Sequence, residues 1–155
     1  CKYDENDTGL PGWTVMLLGD EIDQVEVLPD GTTYSSVPLL AGNYVVRANG
    51  QYTYRPGTPG AEYSDAAYSK RDPGDVVYGG PFVPWVREND FVGYEGWLGL
   101  TIDGNLGTTN WGSVFNSLHE YALGYTSVGG PMGFSITDDQ YSDNSGSLTA
   151  TINEG

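Results

Sequence analysis

Cysteine occurs once, at Cys1, in a chain of 155 residues. No intrachain disulfide is therefore available, and the fold must rest on its core. Histidine also occurs once, as His119. One His and one Cys are too few for a zinc site. A Ser-His-Asp or Cys-His nucleophile would have to use His119, around which no such motif stands. Beside Glu120, His119 reads as a surface or strand histidine. Lys and Arg together number 6 against 21 Asp and Glu, a formal charge of −15. That balance lacks the basic footprint of a nucleic-acid binder and disfavours anionic membrane surfaces. No apolar run approaches the length of a membrane span. The glycine pairs Gly79-Gly80 and Gly129-Gly130 stand in no phosphate-loop pattern. Asp138 and Asp139 are adjacent in a ligand-like loop, which suits metal binding better than a glycosidase pair. No catalysis is expected.

Long Leu/Ala/Lys/Glu runs are missing too. In their place are 23 Gly, 9 Pro, frequent Ser, Thr and Tyr, and 13% aromatic residues, the profile of short strands and many turns. Strands are expected at Trp13–Leu18, Val25–Val27, Thr32–Leu40, Gly42–Ala48 with Gln51–Tyr54 continuing it around a bend, Trp97–Ile102, Val114–Tyr125 and Met132–Ile136, followed by a last one around Leu148, Ala150 and Ile152. Pro81–Val86 reads as an edge strand or extended linker. Eight or more strands with such turns predict an all-β fold, an antiparallel jelly-roll-type β-sandwich. It would occupy residues 21–155. Residues 1–20 read as an N-terminal extension or connector strand.

Within that extension, Asp4-Glu5-Asn6-Asp7-Thr8-Gly9 spaces oxygens as in the front half of an EF-hand loop. Val15 stands where the bidentate acid belongs, so a plain polar turn is the better reading. Asn6-Asp7-Thr8 is also a glycosylation sequon, with Asn6 the acceptor. Trp13–Leu18 is apolar on both faces and wants cover on both sides, from its own sandwich or from a neighbour's sheet. Cys1 reads as a chain boundary, with an acylated lipoprotein cysteine as the alternative.

The most informative stretch is Phe134–Ile152. Phe134 and Ile136 read as the end of one strand, and Leu148, Ala150 and Ile152 as the buried face of another. Between them, Asp138, Asp139 and Asp143 would repel one another in one short turn, with almost no Lys or Arg nearby in sequence. Oxygen-only ligands suit a hard cation, Ca²⁺ best. A solvated acidic turn with Asx caps fits the same residues. The aperiodic region 55–80 reads as a binding loop or a mobile segment, with Glu62, Tyr63, Asp65, Tyr68 and Asp72 in it. The four Trp are more often core than platform. Tyr52, Tyr63 and Tyr68 are better placed to stack on a sugar.

The segment Tyr141-Ser142-Asp143-Asn144-Ser145-Gly146-Ser147 resembles the C-terminal Tyr-x-Asn-Asn-Ser-Gly-Ser segment of the PA-IL family of galactophilic bacterial lectins. Leu39–Ala48 resembles an early strand of that fold, and Tyr52-Thr53-Tyr54-Arg55-Pro56 falls where the family has a Tyr before a Pro. The resemblance implies one Ca²⁺ shared between two loops and a bound sugar. Carried over, Asp138, Asp143 and Asn144 would bind through side-chain oxygens, and Gln140 and Tyr54 through backbone carbonyls. Tyr52, Tyr63, Asp65, Tyr68 and Asp139 would lie around the ligand. Asp143 stands where the family usually has Asn, and the sugar-contacting His and Gln have no counterpart in 55–80. The segment Asp4–Gly12 with Trp13 resembles the Cna-B/SdrD-B surface repeats.

Three readings follow. One is an extracellular or cell-surface, lectin-like calcium-binding module that takes carbohydrate at the ion. Another is a structural subunit of an extracellular fibre or surface layer, self-assembled by N-terminal strand exchange. The third is a sandwich module of a larger adhesin.

Overall fold

The computed structural model describes residues 19–55, 62–70, 86–87, 98–104, 111, 115–138 and 140–155. Among them the chain forms ten strands and one 3₁₀ turn, with no α-helix. In chain order the strands are β1 Glu21–Val27, β2 Tyr34–Ser35, β3 Gly42–Arg55, β4 Glu62–Ser64, β5 Tyr68–Lys70, β6 Val86–Arg87, β7 Gly99–Ile102, β8 Glu120–Ser127, β9 Gly133–Thr137 and β10 Ser145–Glu154. Every strand pairing among them is antiparallel. The fold is all-β, as the turn-rich composition predicts. The expected extension strand at Trp13–Leu18 and the sequon at Asn6 lie outside the described residues. No described helix is long and apolar enough to cross a membrane.

Two sheets enclose one core. The larger runs β1-β10-β3-β4-β5-β6, with β8 also on β3; the smaller runs β2-β9-β7. β3 is the organising strand. One edge pairs with β10 from Tyr44↔Glu154 to Thr53↔Ser145. The other edge is shared, Gly42–Asn49 taking β8 and Tyr52–Arg55 taking β4. Alternation explains the packing. Val25 and Val27, Val46 and Ala48, and Leu148, Ala150 and Ile152 are buried from the large sheet. They share a cluster with Leu100, Ile102, Phe134 and Ile136 of the small one. Burying each large aliphatic or aromatic side chain contributes roughly 1.5–3 kcal/mol.

Gly42–Arg55 is one continuous strand, joining Gly42–Ala48 to Gln51–Tyr54 as expected, with Gly50 at φ +109°. A side chain there would be strained and would press on the Ser147 carbonyl, 3.1 Å from the Cβ position. Only Tyr34–Ser35 of the expected 32–40 strand is regular; beyond it, a single bridge joins Leu39 to Gly130. Part of the supposed binding loop 55–80 is instead the β4–β5 hairpin, Tyr63 facing Lys70 and Ser64 facing Ser69. Three-residue strands are too short to show a period, so this hairpin leaves no trace in the sequence pattern.

Candidate metal centre

β9 and β10 lie in different sheets, so the loop 138–144 joining them crosses one end of the sandwich. Buried Phe134 and Ile136 fix its entry, and buried Leu148 fixes its exit. Within the loop, the Asp138 carboxylate (Oδ1) accepts from the Gln140 amide at 3.4 Å, an Asx-type turn, and the Asp138 amide donates to the Tyr141 hydroxyl oxygen at 3.3 Å. Tyr141–Asp143 then forms the 3₁₀ turn, closed by Asn144 N–H donating to the Tyr141 carbonyl.

Two neighbours hold this turn. The first is the bend after β1. Asn144 Nδ2 donates to the Pro29 carbonyl at 2.9 Å, and the Tyr141 ring lies against Gly31, 3.1 Å from where a Cβ would be. The second is the end of β3. Thr53 pairs with Ser145, and their hydroxyls lie 2.5 Å apart. Pairing with β10 ends there, and the register with β4 shifts between Thr53 and Arg55. Tyr54 therefore sits at a ladder irregularity, where backbone groups are re-aimed. Gly146, with φ +93°, lets β10 begin this close to β3. A Cβ there would stand 3.2 Å from the Gln51 carbonyl oxygen and 3.3 Å from Tyr52 Cα. The structure thus brings Tyr54 and the loop carrying Asp138, Gln140, Asp143 and Asn144 to one end of the sandwich. Asp139 lies outside the described residues.

The donor set has a distinctive feature. Asp143 Oδ1 and Asn144 Oδ1 are buried, and neither accepts a hydrogen bond. The amide of Asn144 is committed to Pro29, so its oxygen is held in a fixed orientation. A buried polar atom without a partner costs about 1–3 kcal/mol, and two from adjacent residues is unusual. A hard cation is the partner that oxygen acceptors without hydrogen donors accommodate. Among the described residues no three acidic, histidine or cysteine side chains cluster. The set offered here is two carboxylates, one amide oxygen and backbone carbonyls.

The residues expected around a ligand divide. Tyr63 is half-buried. It lies in the rung Ser145–Thr53–Tyr63, beside the loop. Tyr52, Asp65 and Tyr68 are 1%, 0% and 5% exposed. Their burial assigns them to packing rather than to a solvent-facing surface. Trp111 is likewise buried, its indole N–H donating to the Leu100 carbonyl at 2.9 Å.

Asp65 is the centre of a polar knot. Its Oδ1 accepts from Ala67 N–H at 2.8 Å and Tyr68 N–H at 2.7 Å. Its Oδ2 lies 2.8 Å from both His119 Nδ1 and the donating Tyr121 hydroxyl. Burial first, and the Asp65 charge second, raise the Tyr121 phenol above its ordinary range. The adjoining Ala66 carbonyl accepts from Leu100 N–H at 3.1 Å, which links the β4–β5 turn to the other sheet. His119, read from sequence as a surface or strand residue, is thus a cross-tie with a left-handed backbone, φ +56°. Its partner is 54 residues away, and no local pattern announces it.

Comparison of the chain with protein-family models, curated proteins and solved structures finds no match.

Proposed function

We propose that this domain is a calcium-binding β-sandwich module, extracellular or cell-surface, that presents its ion to carbohydrate. The observation that carries the reading is the pair of buried, donor-less oxygens on Asp143 and Asn144, in a loop held against the end of β3. Asp138, Asp143 and Asn144 would supply side-chain oxygens, and Gln140 and Tyr54 their carbonyls. A bound Ca²⁺ supplies charge compensation for the acidic turn and coordination positions for sugar hydroxyls. The protein's part is to hold these oxygens with two sheets and to exclude hydrogen donors from them. Tyr63, half-buried on the neighbouring rung, is the aromatic we assign to meet a sugar face. The lectin resemblance of Tyr141–Ser147 supports the sugar part, and the net charge of −15 favours cations and neutral ligands.

The test is glycan-array binding with Ca²⁺ and with EDTA, beside calorimetric titration of Ca²⁺ alone. Calcium-dependent retention of at least one glycan, with one ion bound per chain, is expected. A chain that binds no Ca²⁺ removes the whole reading, whereas Ca²⁺ binding without any glycan removes only the lectin half.

A structural fibre subunit is the second reading, favoured by one observation. Leu40 and Val128 are 83% and 94% exposed, on segments joined by the Leu39–Gly130 bridge. Gly19, where the described chain begins, bonds to Glu154 at the same end of the sheet. Electron microscopy of the chain with and without residues 1–20 decides it. Fibres that vanish on truncation support it, and discrete particles from the untruncated chain reject it.

A further inference from the structure

The solvent face of the large sheet carries a concave groove of about 290 Å³, away from the 138–144 loop. Registers define its rungs. Gln24, Thr151, Arg47 and Ala122 lie side by side across β1, β10, β3 and β8. The next rung holds Glu26, Thr149, Asn49 and Glu120. Two cross-links brace it: Gln24 Nε2 donates to Thr151 Oγ1 at 3.5 Å, and Asn49 Nδ2 donates to Glu120 Oε1 at 2.9 Å.

Arg47 lies between these braces and has no ion pair or hydrogen bond through its guanidinium among the described residues. The chain carries 21 acidic against 6 basic side chains, and none of the described carboxylates pairs with this arginine. Its β8 neighbour is Ala122, only a methyl group. Two residues on, and on the same face of β8, Gly124 has open space where a Cβ would be. Arg47 lines the groove, and its planar fork is suited to one carboxylate. The remaining lining is hydroxyl, amide and carboxylate, with Glu21 and Glu120 at opposite sides of the large sheet's described β1–β8 span. These groups accept and donate to hydroxyls and would repel a polyanion.

We propose that this groove is a binding site for a sugar acid, a single pyranose ring bearing one carboxylate. The carboxylate takes the Arg47 fork. The ring hydroxyls donate to Glu120 and exchange hydrogen bonds with Thr149, Thr151 and Asn49. The volume suits one or two rings, at the low end for small-molecule sites. This site is independent of the candidate metal centre.

The experiment is a two-dimensional NMR titration of the whole chain with D-galacturonate, in EDTA so that the metal centre takes no part. Saturable shifts confined to the Arg47 Nε–H and the amides of Asn49, Thr149 and Thr151 are expected, with Kd on the order of 1 mM. D-galactose and acetate, each at the same concentration, should leave those resonances in place. Arg47→Lys should weaken binding about tenfold, because it keeps the charge and loses the fork, and Arg47→Ala should abolish it. No shifts at these residues, equal shifts with acetate or galactose, or undiminished binding by a folded Arg47→Ala would each overturn the proposal.

Discussion

The Asp65 knot and the 138–144 loop both carry buried side-chain oxygens, and they differ in what surrounds those oxygens. Asp65 has contacts on both carboxylate oxygens, two to backbone N–H groups and two to side chains. Asp143 Oδ1 and Asn144 Oδ1 have none. A carboxylate that the fold surrounds with donors is part of the architecture, since its desolvation is already offset. Buried oxygens that the fold leaves without donors need a partner from outside the chain.

The largest effect should come from breaking the first site. Asp65→Ala strands two N–H groups, a phenol and His119, and should cost about 3–5 kcal/mol, lowering Tm by roughly 10 °C or more. Scanning calorimetry checks this, and the loss should be the same in Ca²⁺ and in EDTA. A loss under 1 kcal/mol would mean the knot is not architectural.

The second site should respond to the ion. At a Ca²⁺ concentration one hundred times Kd, the folded state gains about 2.7 kcal/mol, read as a rise in Tm that EDTA reverses. Asp143→Ala should abolish that rise while leaving the EDTA Tm unchanged or slightly higher, because it removes a buried oxygen with no donor. An Asp143→Ala chain that still gains the full rise would dissolve the contrast between the two sites.

A smaller effect belongs to the backbone that brings the loop to β3. Gly146→Ala imposes a side chain on a left-handed residue and crowds the Gln51 carbonyl. About 1–2 kcal/mol of stability should be lost, together with weaker Ca²⁺ binding by calorimetry. Intact affinity would show that the approach of β10 to β3 does not shape the loop.

The smallest effect is spectroscopic. The phenols of Tyr121, in the knot, and Tyr125, bonded to Asp103, are both raised, Tyr125 to about 12. A raised phenol favours the folded state below the ordinary tyrosine pKa near 10, and that contribution is lost as pH climbs through the folded value. In an alkaline absorbance titration, Tyr125 should ionise near 12 and Tyr121 after it. Asp65→Ala should bring Tyr121 down while Tyr125 stays. Unchanged Tyr121 ionisation in that variant would show that Asp65 does not set it.

Much of the fold was legible because it is local. The alternation of Leu148, Ala150 and Ile152 marked β10. The acidic composition of 138–144 marked that loop as a candidate on chemistry alone. Other features left no signal. The β4–β5 hairpin is too short to show a period, so Asp65 and Tyr68 read as loop residues when they are core. The lectin resemblance implied Asn144 as a ligand, but its tether to Pro29, 115 residues away, is what orients it.

The sequence by itself determined an acidic, disulfide-free, all-β chain with one concentrated oxygen-rich loop, because composition and period-2 alternation act over a few residues. Tertiary structure decided which acids are satisfied, which arginine has no ion pair among the described residues, and that the end of β3 pairs with the start of β10 beside the loop. Each of those depends on which strands become neighbours, and only the closing of the shared core settles that.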